Sequence, residues 1–282
     1  MAGSPRLRLD ELVVARGFAP SRSAARGMIL AGLVLVGEQV CDKAGTLVDA
    51  NAVVSVKRLP RFVSRAGDKL DAAIASLDVE VAGRSALDVG SSTGGFVDCL
   101  LQRGAARVIA LDVGRGQLDI RLRNDPRVFV IEGQNARHTT PDLLPWQPDL
   151  LTMDVSFISV TKVLPAVVRC LAPVFDGLIL VKPQFEAGPR EVGKGGVVRD
   201  PGVHRRVLHE ISRFVLEDLG VRLLGMCRSE VPGAQGNIEF FLHLAHKQPE
   251  AGGAEGVTPD TLDQAISQVL ASPAFDKAGE TA

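Results

Sequence analysis

A chain of 282 residues that is 46% hydrophobic and 23% charged can bury a substantial core, which excludes a disordered chain and leaves room for one large domain plus a small one. Its net charge of −1 conceals an asymmetry: residues 1–70 carry 11 Lys and Arg against 6 Asp and Glu, whereas residues 250–282 carry one Lys against 6 acids. No apolar run approaches the roughly 18 residues of a membrane span, and "MAGSPRLRLDEL" lacks the apolar centre of a signal peptide, so we expect a cytoplasmic protein with no membrane partner. Cys41, Cys99, Cys170 and Cys227 form no CxxC pair and the 5 histidines show no ligand spacing; reduced thiols, no disulfides, no metal and a monomer are expected.

Residues 1–60 read as a small basic module. In "LRLDELVVARGF", Leu9, Leu12 and Val13 fall at helical spacing, and "SRSAARGMILAGLVLVGEQV" reads as a capped helix that stops at Gly32 and feeds a strand. A second short strand follows at "NAVVSVKRL", giving two helices and a hairpin. Arg16, Arg22 and Arg26 stud the helices, the last two sharing one face at a spacing of four. Those residues alone fit a solvated helix face equally well. The whole pattern, from "RLDELVVARGF" to "GLVLVGEQV", resembles the S4 RNA-binding domain.

"RLPRFVSRAGDKL" joins this module to the rest, with Lys57, Arg58, Arg61, Arg65 and Lys69 placed to meet phosphates. From residue 61 to 247, helices and strands alternate. Helices are predicted over 66–77, 94–103, 115–123, 160–171 and 203–219, and strands at "SALDVG", "RVIALDV", "RVFVIEG", "LLTMDVS" and "GLILVKP". Such alternation predicts an α/β fold with a doubly wound parallel sheet. "VRLLGMCRS" and "IEFFLHLA" have no helix between them, so the last strand should run antiparallel. Residues 248–282 read as an acidic tail with one short helix, capped by Thr258.

"LDVGSSTGGF" ends the first strand of this region in a glycine burst. A dinucleotide fingerprint fits poorly, because Gly90 is followed only by Gly94 and Gly95, with Ser92 at the second glycine position. Gly90 to Gly94 also fits the G-x-S-x-G nucleophile elbow, but no earlier strand supplies an oxyanion loop. A third reading suits a cofactor with an amino-acid end: Asp88 accepts from an ammonium, and the glycine backbone lies against the ligand. Asp112, 22 residues after Gly90, is placed to take a ribose diol, and Asn135 in "EGQNAR" to reach an adenine edge.

Asp154 and Lys182 close apolar strands at the rim where open α/β sheets bind ligands, and Glu239 opens the last strand at that same rim, facing Lys182. Lys69 completes a Lys-Asp-Lys-Glu group. A strand-end lysine with an acidic partner is ordinarily a surface ion pair. Composition favours function here: the chain has only 8 Lys against 24 Arg, and two of the eight fall in this group.

These four residues resemble the tetrad of the FtsJ-like ribose 2′-O-methyltransferases. The chain from residue 6 to about 247, with "SRAGDKL", "LDVGSSTGGF", "DVSFISV", "LVKPQFE", "GKGGVVRD" and "GNIEFFLHL", resembles the TlyA or hemolysin A family of ribosomal RNA cytidine 2′-O-methyltransferases. That resemblance implies a Rossmann-like methyltransferase domain, S-adenosylmethionine as methyl donor, and ribosomal RNA or a ribosomal subunit as substrate. Lys69, Asp154, Lys182 and Glu239 would be catalytic, and Asp88, Gly90, Ser92, Gly94, Gly95, Asp112 and Asn135 would hold the cofactor. Arg6, Arg16, Arg22, Arg26, Arg61, Arg65 and Arg199 would meet RNA.

Because "DVSF" replaces the [DN]-P-P-[YF] clamp that presents a planar base, ribose oxygen is the expected target. Lys182 is expected to be the base, with Lys69 as a neighbouring cation and the two acids orienting the amines. "EAGPREVGKGGVVRDPG", bearing Arg190, Lys194 and Arg199, reads as a mobile basic flap, and Phe157 as a stacking platform for a flipped base. The alternatives are a non-catalytic S4-type RNA-binding protein and, ranked lower, a membrane-active hemolysin.

Overall fold

The computed structural model describes residues 5–57, 60–246 and 256–272. Arg58 of the joint and residues 248–255 and 273–282 of the acidic tail lie outside the described residues. The chain divides into two compact units, Met1–Pro60 and Arg61–Ala282.

In the first unit, strand β1 (Arg6–Arg8) leads into helices α1 (Leu9–Ala15) and α2 (Arg22–Leu30). Ser21 caps α2 by accepting from the Ala24 N–H at 3.2 Å. Strands β2 (Val34–Val36), β3 (Gln39–Val40), β4 (Leu47–Asp49) and β5 (Val54–Val56) follow. They exceed the predicted hairpin: β3-β2-β5 form an antiparallel sheet, and β4 pairs with β1. Leu9, Leu12 and Val13 are buried with Ala25, Ile29 and Val34, as their spacing requires.

The second unit runs α3 (Arg65–Ser76), β6 (Ser85–Val89), α4 (Gly95–Gln102), β7 (Arg107–Asp112), α5 (Ile120–Arg123) and β8 (Val128–Glu132). Then come β9 (Leu150–Met153), α6 (Leu164–Val168), β10 (Asp176–Val181), α7 (Pro183–Glu186), α8 (Pro201–Arg213), β11 (Arg222–Arg228), β12 (Phe240–Ala245) and α9 (Leu262–Ala271). The seven strands form one sheet in the order β11-β12-β10-β9-β6-β7-β8, and β12 runs antiparallel to both of its neighbours. The strand order reverses at β6, which pairs with β7 on one side and β9 on the other. A crevice therefore opens beyond the carboxyl ends of β6 and β9.

Alternation along each strand divides the core. Leu87, Val89, Ile109, Leu111, Leu151 and Met153 pack with Val207, Leu208 and Ile211 of α8. Ala86, Val108, Ala110 and Leu150 face Leu70 and Ile74 of α3 and Phe96 and Leu100 of α4. Burial of each large side chain contributes about 1.5–3 kcal/mol.

Three predicted helices change length for local reasons. Gly114 and Gly116 donate their N–H groups to Asp112 Oδ1 (2.6 Å) and Glu132 Oε1 (2.9 Å), so residues 113–119 are turns and only α5 is helical. The predicted 160–171 helix is a capped 3₁₀ turn followed by α6, with Pro165 in its first turn. Helix α8 ends in a π-turn at Phe214–Asp218. The tail helix begins at Leu262, and Thr258 instead bonds to Thr261 in the turn before it. It is docked: Leu262, Ile266 and Val269 join the core beside α8. Among the described residues no helix is long and apolar enough to cross a membrane.

Candidate active site

The loop after β6 is shaped by backbone constraints. Gly90 has φ +85°, and a Cβ there would lie 2.5 Å from the Asp154 carbonyl oxygen, so only glycine lets β6 and β9 end side by side. Ser92 is also left-handed, at φ +47°, held by its N–H donating to Asp112 Oδ2 at 2.8 Å. Both Asp112 oxygens thus accept backbone N–H bonds, and each keeps a second lone pair for a ligand hydroxyl. Asn135 Oδ1 accepts the Arg137 N–H at 3.1 Å, which orients its amide.

Gly90, Ser92, Asp112 and Asn135 line one cavity of about 570 Å³, with Asp154 and Ser156 on its far wall. That volume suits a nucleoside-sized ligand. A smaller cavity of about 110 Å³ shares Gly90, Ser92 and Asp154 and adds Gly95 and Ser64. Two expected cofactor residues line neither. Gly94 is packed against Leu118 and Leu122, so its small size serves the fit of helix to loop. Asp88 is fully buried beneath the loop and accepts the Thr152 hydroxyl at 2.7 Å, while its Oδ2 has no partner. Burial pushes this carboxyl up from 3.8 to about 8, the charges of Asp154 and Asp112 adding to the effect. That orphaned acceptor beneath the cavities fits a cationic group, reached directly or through water.

At the rim the four predicted polar residues gather as two pairs. Lys182 Nζ lies 2.5 Å from Asp154 Oδ1 and donates to Ser156 Oγ at 2.9 Å. Lys69 Nζ donates to Glu239 Oε2 at 2.6 Å, both side chains being nearly buried. Lys182 and Glu239, expected to face one another, thus take different ion-pair partners. Val181 opposes Phe240 in the ladder, but the chain then turns at Pro183, and α7 brings Gln184 to Glu239 instead. Gln184 Nε2 donates to Glu239 Oε1 at 3.1 Å. Phe157, at φ +62° and 90% exposed, stands 4.9 Å from the Phe185 ring.

The predicted mobile flap is anchored. Asn237, 3% exposed, accepts the Val198 N–H at 3.1 Å and donates to Gly196 O at 2.9 Å and Ala234 O at 3.0 Å. His204 Nε2 lies 3.1 Å from the Val198 carbonyl, and burial lowers its pKa. Arg199 is exposed beside this anchor.

The predicted RNA-binding arginines sort into two groups. Arg22 is engaged within its own unit by Asp10 and Glu11, each at 3.1 Å, and Arg16 donates to Ala50 O at 2.8 Å. Arg61 pairs with Asp71 and lies over the Phe62 ring. Arg6, Arg26 and Arg65 are exposed without an ion pair among the described residues. Ser156, Gln184, Gly233 and Asn237 escaped sequence reasoning. For Ser156, Gln184 and Asn237 the available signal was a polar residue near each strand-end charge, in "DVSF", "KPQFE" and "GNIEF"; Gly233 carried none.

Residues 62–246 match the FtsJ-like methyltransferase family, and residues 7–54 match the S4 domain. The chain is 44% identical to the 16S/23S rRNA (cytidine-2′-O)-methyltransferase TlyA of Mycobacterium tuberculosis, over 93% of this chain and 98% of that relative. It is 42% identical to Hemolysin A of Brachyspira hyodysenteriae, over 84% of this chain and 99% of the relative. A solved Streptococcus thermophilus structure described as a hemolysin has a TM-score of 0.69 and 36% identity, across 95% of this chain and 96% of that one. The chain thus belongs to the FtsJ-like methyltransferases, in the TlyA and hemolysin A group that carries an S4 domain ahead of the catalytic fold.

Proposed function

We propose that this protein methylates the ribose 2′-oxygen of a cytidine in ribosomal RNA, with S-adenosylmethionine as methyl donor, in the cytoplasm. The observation that carries the reading is two lysine–carboxylate pairs, Lys182–Asp154 and Lys69–Glu239, whose Lys182 and Glu239 stand at the paired ends of the neighbouring strands β10 and β12, with Asp154 lining a nucleoside-sized cavity. The cytidine specificity comes from the name of the Mycobacterium tuberculosis relative.

The residues present fit the donor. Asp112 would take its ribose hydroxyls and Asn135 its base edge, and the Gly90–Ser92 backbone would lie beside it, with Asp88 below as the acceptor for an ammonium. Bound there, the donor supplies an electrophilic methyl on a sulfonium. The chain's own groups do the rest. Lys182, in its neutral form, accepts the proton of the 2′-hydroxyl as that oxygen takes the methyl. Asp154, already in contact, then holds the ammonium so formed. Lys69, fixed by Glu239, supplies a second positive charge toward the developing oxyanion. Positioning contributes much of the rate, since a good near-attack geometry is worth ~7–11 kcal/mol.

The test is transfer of labelled methyl groups to separated ribosomal subunits, followed by mapping of the modified nucleotide. A 2′-O-methylcytidine supports the reading. RNA binding without methyl transfer would leave the non-catalytic S4-type alternative.

A further inference from the structure

We propose that Gln184 and Gly233 form a clamp on Glu239, the first through its amide and the second through the space it leaves, that holds the carboxylate in the rotamer from which it orients Lys69, and that both are positioning residues for methyl transfer. The inference rests on the reading that Glu239 belongs to the catalytic group. Glu239 is 2% exposed, and its two oxygens have separate partners: Oε2 takes the Lys69 ammonium at 2.6 Å, and Oε1 takes the Gln184 amide at 3.1 Å. Were the Gln184 amide reversed, its oxygen would face Glu239 Oε1, so the carboxylate fixes which end of the amide it meets. The other Gln184 end, Oε1, is buried without a hydrogen-bond partner among the described residues.

Gly233 lies against the same carboxyl group. A Cβ there would overlap the Glu239 carboxyl group and approach its Cγ at 3.1 Å, and the three nearest atoms it would meet all belong to Glu239. The backbone at Gly233 has φ −68°, which any residue adopts, so glycine is needed there for the room it leaves and not for its conformational freedom. The amide thus holds Oε1, and the bare glycine leaves the space that the carboxyl group occupies when Oε2 meets Lys69.

The experiment is a double-mutant cycle on the full chain, measuring methyl transfer under saturating RNA and S-adenosylmethionine. Gly233→Ala and Gln184→Leu should each lower kcat by about tenfold to a hundredfold while both KM values stay within about threefold. Thermal melting and cofactor binding by calorimetry should be retained. In a Glu239→Ala background the overlap and the amide bond no longer exist, and neither change should add to the loss. Losses that add in that background, or an unchanged kcat in both single variants, would overturn the clamp alone. Full turnover by Glu239→Ala would remove Glu239 from the chemistry and overturn the tetrad reading with it.

Discussion

Each unit of the molecule buries one aspartate completely, and the two titrate in opposite directions. Asp10 in the first unit accepts from Arg8 at 3.0 and 3.1 Å and from Arg22 at 3.1 Å. The Arg8 hydrogen bonds, with Arg22 beside them, hold its carboxyl down at about 2. Asp88 in the second unit receives only the Thr152 hydroxyl, and burial raises it to about 8. The first unit thus completes its own polar interior and turns the remaining cations outward. The second leaves an acceptor unmatched beneath its cavities, a mismatch of the kind that accompanies a ligand site.

The contrast breaks most visibly in the chemistry. Lys182→Ala should lower methyl transfer by ~10²–10⁴ with S-adenosylmethionine affinity intact, whereas Arg26→Ala in the first unit should leave turnover at saturating RNA unchanged. Near-normal turnover by Lys182→Ala would place the proton acceptor elsewhere. Next in size is cofactor binding. Asp112→Ala should weaken it by about 1.5–3 kcal/mol in calorimetry, part of that through the Ser92 and Gly114 N–H groups the carboxylate now fixes. An unchanged affinity would remove Asp112 from the cofactor site.

The sequence made the sheet legible because strand and helix differ in period, because β7 and β10 carry apolar runs that end at Asp112 and Lys182, and because β6 leads into the glycine burst. Asp154, Lys182 and Glu239 could be named from the ends of β9, β10 and β12, and Lys69 from the helix ahead of the sheet. Their pairing could not, because it depends on how far the chain turns at Pro183 and on the short α7 that puts Gln184 at Glu239. That Gly94 and Asp88 line neither cavity could not be read for a related reason. A motif position shows that a residue is small or acidic, but which neighbour fills the space beside it is decided by other elements of the fold, here by Leu118 and Leu122 before and in α5 and by Thr152 on β9. Likewise Arg22 and Arg26 look equivalent on a helical wheel, and only the buried Asp10 separates them.

That separation gives the third prediction. The double change Arg6→Ala with Arg26→Ala should weaken RNA binding and flatten the dependence of log affinity on log salt, by ~0.7–0.9 for each phosphate that is no longer neutralised. Arg22→Ala should leave the slope nearly unchanged and lower the melting temperature, because its guanidinium serves Asp10 and Glu11. Equal slopes for the double variant and the parent protein would move the electrostatic anchor to the second unit, where Arg65 and Arg199 are exposed.

A last contrast separates the two aspartates themselves, through the pH dependence of stability. Asp10 has a folded pKa below its ordinary 3.8, so its stabilising contribution is complete above about pH 4 and is lost as pH falls through about 2. Asp10→Asn should therefore lower the melting temperature at neutral pH, with a difference that shrinks on acidification below pH 4. Asp88 has the reverse sign. Its folded pKa of about 8 lies above 3.8, so between those values the native state keeps a proton that the unfolded chain releases, and stability declines as pH rises. Asp88→Asn, which keeps the shape without the charge, should gain on the parent protein from about pH 4 to pH 8 and hold a constant advantage above that. Melting curves across this range without cofactor decide it: a difference independent of pH would mean that Asp88 finds a compensating partner when ionised, and that the unmatched acceptor is not a standing feature of the second unit.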